Sequence, residues 1–219
     1  SHQQLIFSFL SPLSKETRII EIGCADGVLL ANLQSRGFRN IFGLDISPRA
    51  VTAAKNRGLT NVSLAAGETT GLKNNAFNVL LAIDILEHIR EDNKALLEWS
   101  RILKPGGMLI LFVPAFPFLW SGNDTTNQHF RRYRRKQLVA MLAQNGFLVE
   151  RSSYWNFILF LPTMIMRLLG RVMPQKETLH KGLFRLPPPL NWGITKLLSC
   201  ENALLRWNIR YPFGMSVFV

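Results

Sequence analysis

The sequence predicts an α/β fold built on a parallel sheet. Short apolar segments alternate with amphipathic segments of helical periodicity between residues 18 and 145, which is the pattern of strands joined by crossover helices. Glycines and acidic residues cluster directly after the apolar segments. Because parallel sheets bind ligands at the carboxyl ends of their strands, these clusters mark the expected site.

The elements follow in order along the chain. Strands are predicted at 18–22, 41–44, 62–66, 77–83 and 108–113. Helices are predicted from about Gly27, over 91–103 and over 135–145. The run Lys104-Pro-Gly-Gly107 ends the second of these helices, because proline and glycine interrupt helical structure.

A nucleoside site is indicated by the bend after the first strand. Residues 21–27 read Glu-Ile-Gly-Cys-Ala-Asp-Gly, and Asp45 ends the second strand. Glycines at such a bend let backbone and ligand approach closely, and a carboxylate about 20 residues further on accepts ribose hydroxyls. An adenosine-containing ligand is therefore expected.

The same bend argues against a dinucleotide. A G-x-G-x-x-G turn presents its N–H groups to a pyrophosphate, but here Ala25 and Val28 occupy two of the sensitive positions and the turn carries no basic residue. Glu21 and Asp26 flank the turn with negative charge, which suits a sulfonium and an ammonium group better than a diphosphate.

Five segments in this order resemble the class I S-adenosylmethionine-dependent methyltransferases, over roughly residues 15–155 and the last few residues. They are E-I-G-C-A-D-G (21–27), G-L-D-I-S (43–47), A-G-E (66–68), F-N-V-L-L-A-I-D-I-L-E-H-I (77–89) and L-K-P-G-G-M-L-I-L-F-V-P (103–114).

The resemblance implies a Rossmann-like seven-stranded sheet of order 3-2-1-4-5-7-6 with strand 7 antiparallel. Residues 147–155 and 214–219 would be the sixth and seventh strands. The methyltransferase domain would then comprise 1–155 and 213–219, and residues 156–212 would form a hydrophobic, basic and mostly helical insertion.

The resemblance also assigns the cofactor S-adenosyl-L-methionine, with S-adenosyl-L-homocysteine as product. Asp45 would bind the ribose. The methionine portion would be lined by Glu21, Gly23, Cys24, Ala25 and Gly27; the adenine would lie by Ile46, Gly67 and Glu68; the sulfonium would lie by Ile83 and Asp84. Structural alternatives stay open: Ile46 as core, Glu68 as a solvated turn acid, and Asp84 as a helix cap.

Methyl transfer from a sulfonium requires an in-line nucleophile, exclusion of water and, for an oxygen or nitrogen acceptor, a base. His88 and His129 are the candidate catalytic bases. Arg131, Arg132 and Tyr133 are candidates for binding an anionic acceptor, with bracing of the loop as the alternative for one arginine. Phe116 is a candidate for an apolar acceptor pocket, with core packing as the alternative.

A divalent metal is a less favoured prediction. Asp84, Glu87, His88 and His129 resemble the ligand arrangement of metal-assisted O-methyltransferases, but many metal-free relatives also carry L-E-H at this place. The structural alternatives are that Glu87 caps the next helix or pairs with Arg90, that His88 packs under the acceptor loop with its nitrogens bonded to backbone, and that His129 pairs with Asp124.

Positive charge is concentrated outside the nucleotide-binding part. The net charge is +12, and residues 131–136 carry five positive charges within six residues. Residues 156–212 contain eight Lys or Arg against two acids. Three interpretations of this insertion compete: a lid over the acceptor, which we rank first, an interfacial helix on anionic lipid, and an oligomer interface. Its apolar run 157–166 is too short to span a bilayer, which takes about 20 apolar residues.

The sequence thus predicts methyl transfer to an oxygen or nitrogen of a small, partly hydrophobic or lipid-linked acceptor. The alternatives are an RNA methyltransferase and a non-catalytic adenosine-binding or membrane-docking module; nucleic acid is the less favoured partner. With only Cys24 and Cys200, a disulfide framework is excluded and a reducing, cytoplasmic location is expected, with peripheral membrane association as an option.

Overall fold

A computed structural model of the chain describes residues 2–172, 188–207 and 209–219. Seven strands form one sheet in the order β3-β2-β1-β4-β5-β7-β6. The strands are β1 Ile19–Ile22, β2 Ile41–Asp45, β3 Val62–Leu64, β4 Phe77–Ile83, β5 Leu103–Pro114, β6 Ser153–Trp155 and β7 Ser216–Phe218. β7 runs antiparallel to β5 and to β6, and the predicted topology is confirmed.

Helices cover both faces of the sheet. They are α1 His2–Leu10, α2 Val28–Ser35, α3 Pro48–Asn56, α4 Asp92–Ile102, α5 Gly122–Thr126, α6 Arg135–Gln144, α7 Phe160–Val172 and α8 Pro188–Arg206, with 3-10 turns at Leu86–His88 and Pro117–Leu119. The sequence pattern did not indicate α1, which buries Leu5, Ile6 and Leu10 completely.

Side-chain alternation in the central strands builds two hydrophobic layers. Val79 and Leu81 of β4 join the layer that includes α1 and α2, whereas Leu80 and Ala82 join the layer that includes α4 and α6. Successive side chains of a strand point to opposite faces, so a sheet covered on both sides needs apolar residues at consecutive positions. This explains why the predicted strands read as unbroken apolar runs.

Two strand boundaries differ from the sequence prediction. β5 begins at Leu103, because the segment around the Pro-Gly-Gly turn pairs irregularly with β4. β6 is only Ser153–Trp155, and residues 147–152 are not in a strand. Its partner β7 pairs over three residues, and a cavity of about 670 Å³ separates residues 146–151 from the start of β5. No strand of the described chain lies beside 147–152 to pair with it.

The segment between β6 and β7 contains α7 and α8, as predicted, while residues 173–187 of the predicted insertion lie outside the described residues. Glu201 of α8 accepts hydrogen bonds from the N–H groups of Phe157 (2.8 Å) and Ile158 (3.3 Å), just before α7. Trp155 Nε1 donates to Asn202 Oδ1 at 2.8 Å. None of the helices described is both long and apolar enough to cross a membrane. The division into a domain and an insertion stays a prediction.

We expect Gly27→Ala to destabilise the protein by about 2–4 kcal/mol. Gly27 has a left-handed backbone (φ +75°), and an added Cβ would overlap Leu59 Cδ1 and lie 3.1 Å from Ala54 Cβ, so strain and overpacking add together. Urea unfolding followed by circular dichroism measures the loss.

Gly58→Ala is the matched control. Gly58 is also left-handed (φ +91°), but nothing lies within 4 Å of its added Cβ, so only the backbone cost of about 1 kcal/mol is expected. Equal losses in the two variants would show that the packing against Leu59 carries no energy.

Candidate functional site

The loop after β1 and the end of β2 are joined by one carboxylate. Asp45 Oδ2 accepts the N–H of Ala25 at 2.8 Å, and Asp45 Oδ1 accepts the N–H of Ser47 at 2.9 Å. Ala25 itself is left-handed (φ +48°). Asp45 remains half-buried, and an ionised carboxylate offers about four acceptor positions. It therefore keeps free acceptor capacity toward the open side of the loop.

The glycines of this loop have a packing role that the sequence argument missed. An added Cβ at Gly23 would lie 2.6 Å from Ile85 Cδ1, and the space beside Gly27 is filled by α3 and Leu59. Both glycines are left-handed. Close approach between protein segments is therefore one reason for glycine here, alongside the ligand approach predicted from sequence.

Glu21 is a buried acid at the start of the loop, with one carboxyl oxygen that lacks a hydrogen-bond partner. It is 6% exposed, and its Oε2 has no hydrogen-bond partner. Burial, and then the charges of Asp45 and Asp26, raise the pKa of Glu21 well above its usual range. A cationic ligand would relieve both the desolvation and the mutual repulsion. Burial likewise raises the pKa of Cys24 to about 12, so its thiol stays neutral.

The predicted adenine side lies at the ends of β2 and β3. Ile46 is 72% exposed, so the core alternative for this residue is wrong. Glu68 is half-buried, and the carbonyl of Gly67 accepts a hydrogen bond from Trp99 Nε1 at 2.9 Å. An adenine ring could cover the exposed side chain of Ile46 next to Asp45. The adenine role of Ile46, Gly67 and Glu68 stays a prediction.

Asp84 follows β4 in a left-handed conformation (φ +50°). Its side chain is 44% exposed, and desolvation raises the pKa of Asp84 to about 6, with Arg132 acting in the opposite direction. His2 Nε2 lies 3.7 Å from Asp84 Oδ2, a neighbour that only the tertiary structure brings there. The capping alternative for Asp84 is wrong, because α4 begins at Asp92. Ile83, before it, is half-buried.

Two histidines and one buried carboxylate meet beside this crevice. The rings of His88 and His129 are 4.6 Å apart and nearly perpendicular. Ligand atoms of Glu87, His88 and His129 all lie within 4.8 Å of one another. The structure therefore brings together three of the four residues named for a metal, and Asp84 lies outside this group.

Glu87 is the most strongly perturbed member of the cluster. It is 1% exposed, and its Oε2 has no hydrogen-bond partner. Burial, and then the charge of Asp84, raise the pKa of Glu87 to about 9. Burial, and then the neighbouring His129, lower the pKa of His88. At neutral pH the cluster is therefore a protonated carboxyl facing an uncharged His88.

Asp124 orients His129. Its Oδ1 lies 3.1 Å from His129 Nδ1 and accepts from Arg132 Nε at 2.7 Å, while its Oδ2 accepts from the N–H and hydroxyl of Ser121. Burial alone would raise the pKa of Asp124, but the hydrogen bonds and charge of Arg132 hold it below its usual range. An ionised partner at Nδ1 assigns the proton to that nitrogen, which leaves the Nε2 lone pair free.

The pairing of His129 with Asp124, which was the structural alternative for this histidine, is present, but the sequence assigned Asp124 no role in the site. A signal was available, because Ser121 and Asp124 have the spacing of a reciprocal cap at the start of α5, and the structure forms this cap. The cap places the carboxylate, but only the fold brings it against His129.

Arg131 and Arg132, which precede α6, form contacts within the protein. Arg132 is 7% exposed and also donates to the Ala115 carbonyl at 3.0 Å, which fits the bracing role. Arg131 pairs with Asp92 at 2.8 Å, and the Tyr133 hydroxyl lies 3.1 Å from the same carboxylate. The acceptor-binding roles of these residues stay predictions.

An aromatic wall adjoins this segment. Phe116 stacks on Tyr154 with centroids 4.7 Å apart, and it contacts Phe118 and Phe160 at 5.3 and 5.5 Å. Phe160 is the first residue of α7. The insertion therefore touches the surface on which an apolar acceptor was predicted to bind.

Comparisons with known proteins bear on this site. Residues 20–111 match the family described as "Methyltransferase domain". A ubiquinone biosynthesis O-methyltransferase from Colwellia psychrerythraea is 27% identical over 150 residues, which are 60% of this chain and 61% of that protein. The chain thus spans about three fifths of the length of this relative.

Two solved structures are similar over 99% of the chain. One is phosphoethanolamine N-methyltransferase 2 from Haemonchus contortus in complex with S-adenosyl-L-methionine, with TM-score 0.63, 16% identity and 51% of its own chain covered. The other is the 4+2 cyclase SpnF, with TM-score 0.62, 19% identity and 79% of its chain covered. These likenesses show the fold. Together with the match over residues 20–111 and the order of the sheet, they show that the chain is similar to the methyltransferase-domain family and has the fold of the class I S-adenosylmethionine-dependent methyltransferases.

Proposed function

We propose that this protein transfers a methyl group from S-adenosyl-L-methionine to an oxygen or nitrogen of a small, partly hydrophobic or lipid-linked acceptor. The observation that carries the proposal is the adjacency of an acidic crevice and a histidine pair at one edge of the sheet. Asp84 lies close enough to Glu87 that its charge raises the pKa of Glu87. Cofactor and base would therefore lie side by side.

The charge of the crevice supports S-adenosylmethionine over a dinucleotide. Glu21, Asp26 and Asp45 gather at the loop, where burial, and then the charges of Asp45 and Asp26, raise the pKa of Glu21. Asp26 is paired with Arg57, but that guanidinium lies on the outer side, with 43% of its side chain exposed. A pyrophosphate would meet repulsion here, whereas an ammonium and a sulfonium would be attracted.

The chemistry needs one proton acceptor. The acceptor oxygen or nitrogen attacks the methyl carbon as the carbon–sulfur bond breaks, its proton passes to His129 Nε2, and S-adenosyl-L-homocysteine leaves with the electron pair on sulfur. Asp124 stabilises the imidazolium that forms, because its carboxylate faces Nδ1. His88, uncharged and 4.6 Å from His129, adds no opposing charge.

A partly hydrophobic acceptor is supported by the aromatic wall of Phe116, Phe118 and Phe160. The Colwellia relative is named for O-methylation in ubiquinone biosynthesis, which puts oxygen acceptors with apolar substituents first among those to test. A screen of isoprenoid-linked, quinone-like and glycolipid acceptors, with mass detection of the methyl gain, would identify the class.

The alternatives have less support. RNA binding would use the basic run 131–136, but Arg131 and Arg132 form ion pairs with Asp92 and Asp124. The chain also has a fold similar to that of a cyclase, and a shared fold alone does not decide which reaction a protein catalyses. A non-catalytic adenosine-binding module would have no need for an oriented histidine beside the cofactor crevice.

A divalent metal is the second candidate for acceptor activation. Glu87, His88 and His129 fit one by ligand type and mutual distance, and a metal at these residues would polarise an acceptor hydroxyl. We favour the metal-free reaction, because Asp84, the fourth residue of the predicted ligand set, lies outside the cluster.

Asp45→Ala should weaken binding of S-adenosyl-L-homocysteine by about 30-fold or more, because two charge-assisted hydrogen bonds to the ribose are lost. Isothermal calorimetry on the purified protein measures the Kd. The unsubstituted protein should bind nicotinamide adenine dinucleotide at least 100-fold more weakly, an order of magnitude set by charge repulsion.

Asp26→Ala removes an equal charge from the same loop without touching the predicted ribose contact, so about a three-fold change at most is expected. If both substitutions weaken binding equally, or if the dinucleotide binds better, the cofactor assignment is wrong.

His129→Ala should lower kcat by about 10²- to 10⁴-fold, the usual contribution of a general base. The Kd for S-adenosyl-L-homocysteine should not change, since His129 lies on the acceptor side. Steady-state kinetics with an acceptor from the screen, together with calorimetry, separate the two effects. Retained kcat would refute the role of His129.

Glu87→Gln should stabilise the protein increasingly as the pH rises. The pKa of Glu87 is raised to about 9, so its protonated form stabilises the fold below about pH 4.5, and this contribution is lost as pH rises toward 9. The gain of the variant should grow by up to about 1.4 kcal/mol for each pH unit in this window. Urea unfolding at pH 5 and pH 9 measures it.

Adding Mg²⁺ or Zn²⁺ provides the control for the metal alternative. A bound ion would displace the proton of Glu87, so calorimetry in two buffers of different ionisation enthalpy would detect proton release. If the protein binds the ion and Glu87→Gln abolishes this binding, the metal-assisted mechanism is favoured over the metal-free one.

A further inference from the structure

Helix α7 exposes an apolar face to solvent. The exposed fractions are 52% for Leu161, 51% for Ile165, 67% for Met166, 41% for Leu168 and 53% for Leu169. The first, second, fourth and fifth of these follow the spacing i, i+4, i+7, i+8, which places them on one side of a helix. We call these five residues the α7 face.

Arg167 of α7 points away from the α7 face. Arg167 is turned toward the protein, where its guanidinium donates to the carbonyl of Leu119 and lies 3.7 Å from Asp124 Oδ2. Phe160, at the start of the helix, is 6% exposed. A helix at an ordinary protein surface shows the reverse arrangement, with apolar residues inward and charges outward. An exposed apolar stripe of this kind marks an interaction surface.

Helix α8 and the residues after it expose indoles and a cation. Trp192 and Trp207 are 66% and 78% exposed, and Lys196 Nζ lies 5.7 Å from the centroid of the Trp192 ring. Tryptophan and lysine combine an apolar body with a polar end, which suits them to the boundary between water and lipid.

The charge of residues 156–212 distinguishes between two candidate partners for these surfaces, a second copy of the chain and an anionic lipid surface. Residues 156–212 contain eight Lys or Arg and two acids, and one of the acids, Glu201, is 2% exposed and bonded to backbone N–H groups. A second copy of the chain would bring excess positive charge against positive charge. An anionic surface is complementary to it.

We propose that the α7 face and the exposed side of α8 dock on an anionic lipid bilayer. The α7 face would enter the boundary between headgroups and acyl chains by about 5–10 Å, while Trp192, Lys196 and Trp207 would lie at the headgroups. The contact is peripheral. It goes beyond the methyl transfer proposed above and does not depend on it, since it rests on the two helices alone.

Sedimentation with vesicles tests the surface. Vesicles of phosphatidylcholine with about one third phosphatidylglycerol should bind the full chain, and pure phosphatidylcholine should bind it at least about ten-fold more weakly. The double variant Ile165→Ser with Leu169→Ser should bind the anionic vesicles about ten-fold or more weakly than the parent, because two buried apolar side chains are lost. No methyl donor or acceptor is present, so the result stands apart from catalysis.

Leu97→Ser with Leu148→Ser is the matched control. These leucines are 58% and 89% exposed on other parts of the molecule, and their loss should leave vesicle binding unchanged. Lys196→Gln should weaken binding to the anionic vesicles, whereas Lys73→Gln, an exposed lysine on the nucleotide-binding part, should not. Circular dichroism checks that each variant is folded.

Three outcomes would overturn the proposal. The parent chain could stay in the supernatant with anionic vesicles, or the Ile165/Leu169 variant could bind them like the parent. Alternatively, sedimentation equilibrium could reveal a dimer that this variant abolishes while vesicle binding is absent, which would assign the α7 face to a second copy.

Discussion

The arrangement around the histidine pair depends on one buried carboxylate, Asp124. It accepts hydrogen bonds from Arg132 and Ser121, contacts Nδ1 of His129, and has Arg167 of α7 3.7 Å away. A buried ion pair adds little net stability over apolar packing, but removing one partner costs about 3–5 kcal/mol because the other charge is left buried. The pair with Arg132 is therefore better understood as fixing the position of the loop than as stabilising the fold.

The geometry around Asp124 links three parts of the chain that are distant in sequence. The loop that carries His129 is tied through Arg132 to the end of β5, and through Arg167 to the insertion. A rearrangement of α7 would consequently reach the histidine pair through a single carboxylate. Arg167 of α7 points inward to this carboxylate, while the exposed residues described on the other side of the helix are apolar.

Opposite charges are separated across the molecule. Acids gather at the crevice, where burial and mutual repulsion raise the pKa values of Glu21 and Glu87, while the positive charge lies in residues 131–136 and in the insertion. An acidic crevice attracts a cationic cofactor, and a basic periphery attracts anionic surfaces. The two proposed binding functions make opposite electrostatic demands, and they fall on different segments of the chain.

The alternation of strands and helices, the loop at 21–27 and the position of Asp45 could be predicted from local patterns: unbroken apolar runs, glycines at bends and an acid at the end of a strand. The strand order followed only from the resemblance of five segments to a known family. The loop spacing also indicated the kind of ligand. The shortened β6 could not be predicted, since a strand exists only where a neighbour pairs with it, and β6 pairs with β7 only over Ser153–Trp155.

What the sequence determined by itself is therefore the fold and the region of the site, since these follow from periodicities and turns that neighbouring residues impose. The tertiary structure decided which of the alternatives hold and which side chains act together: Asp124 binds Arg132 as well as His129, Arg132 is a brace instead of a free cation, Glu87 is buried with its Oε2 unpartnered, and α7 turns its apolar side outward. Each of these depends on contacts between segments far apart in the chain, and on the exclusion of water that those contacts bring about, which no local pattern encodes.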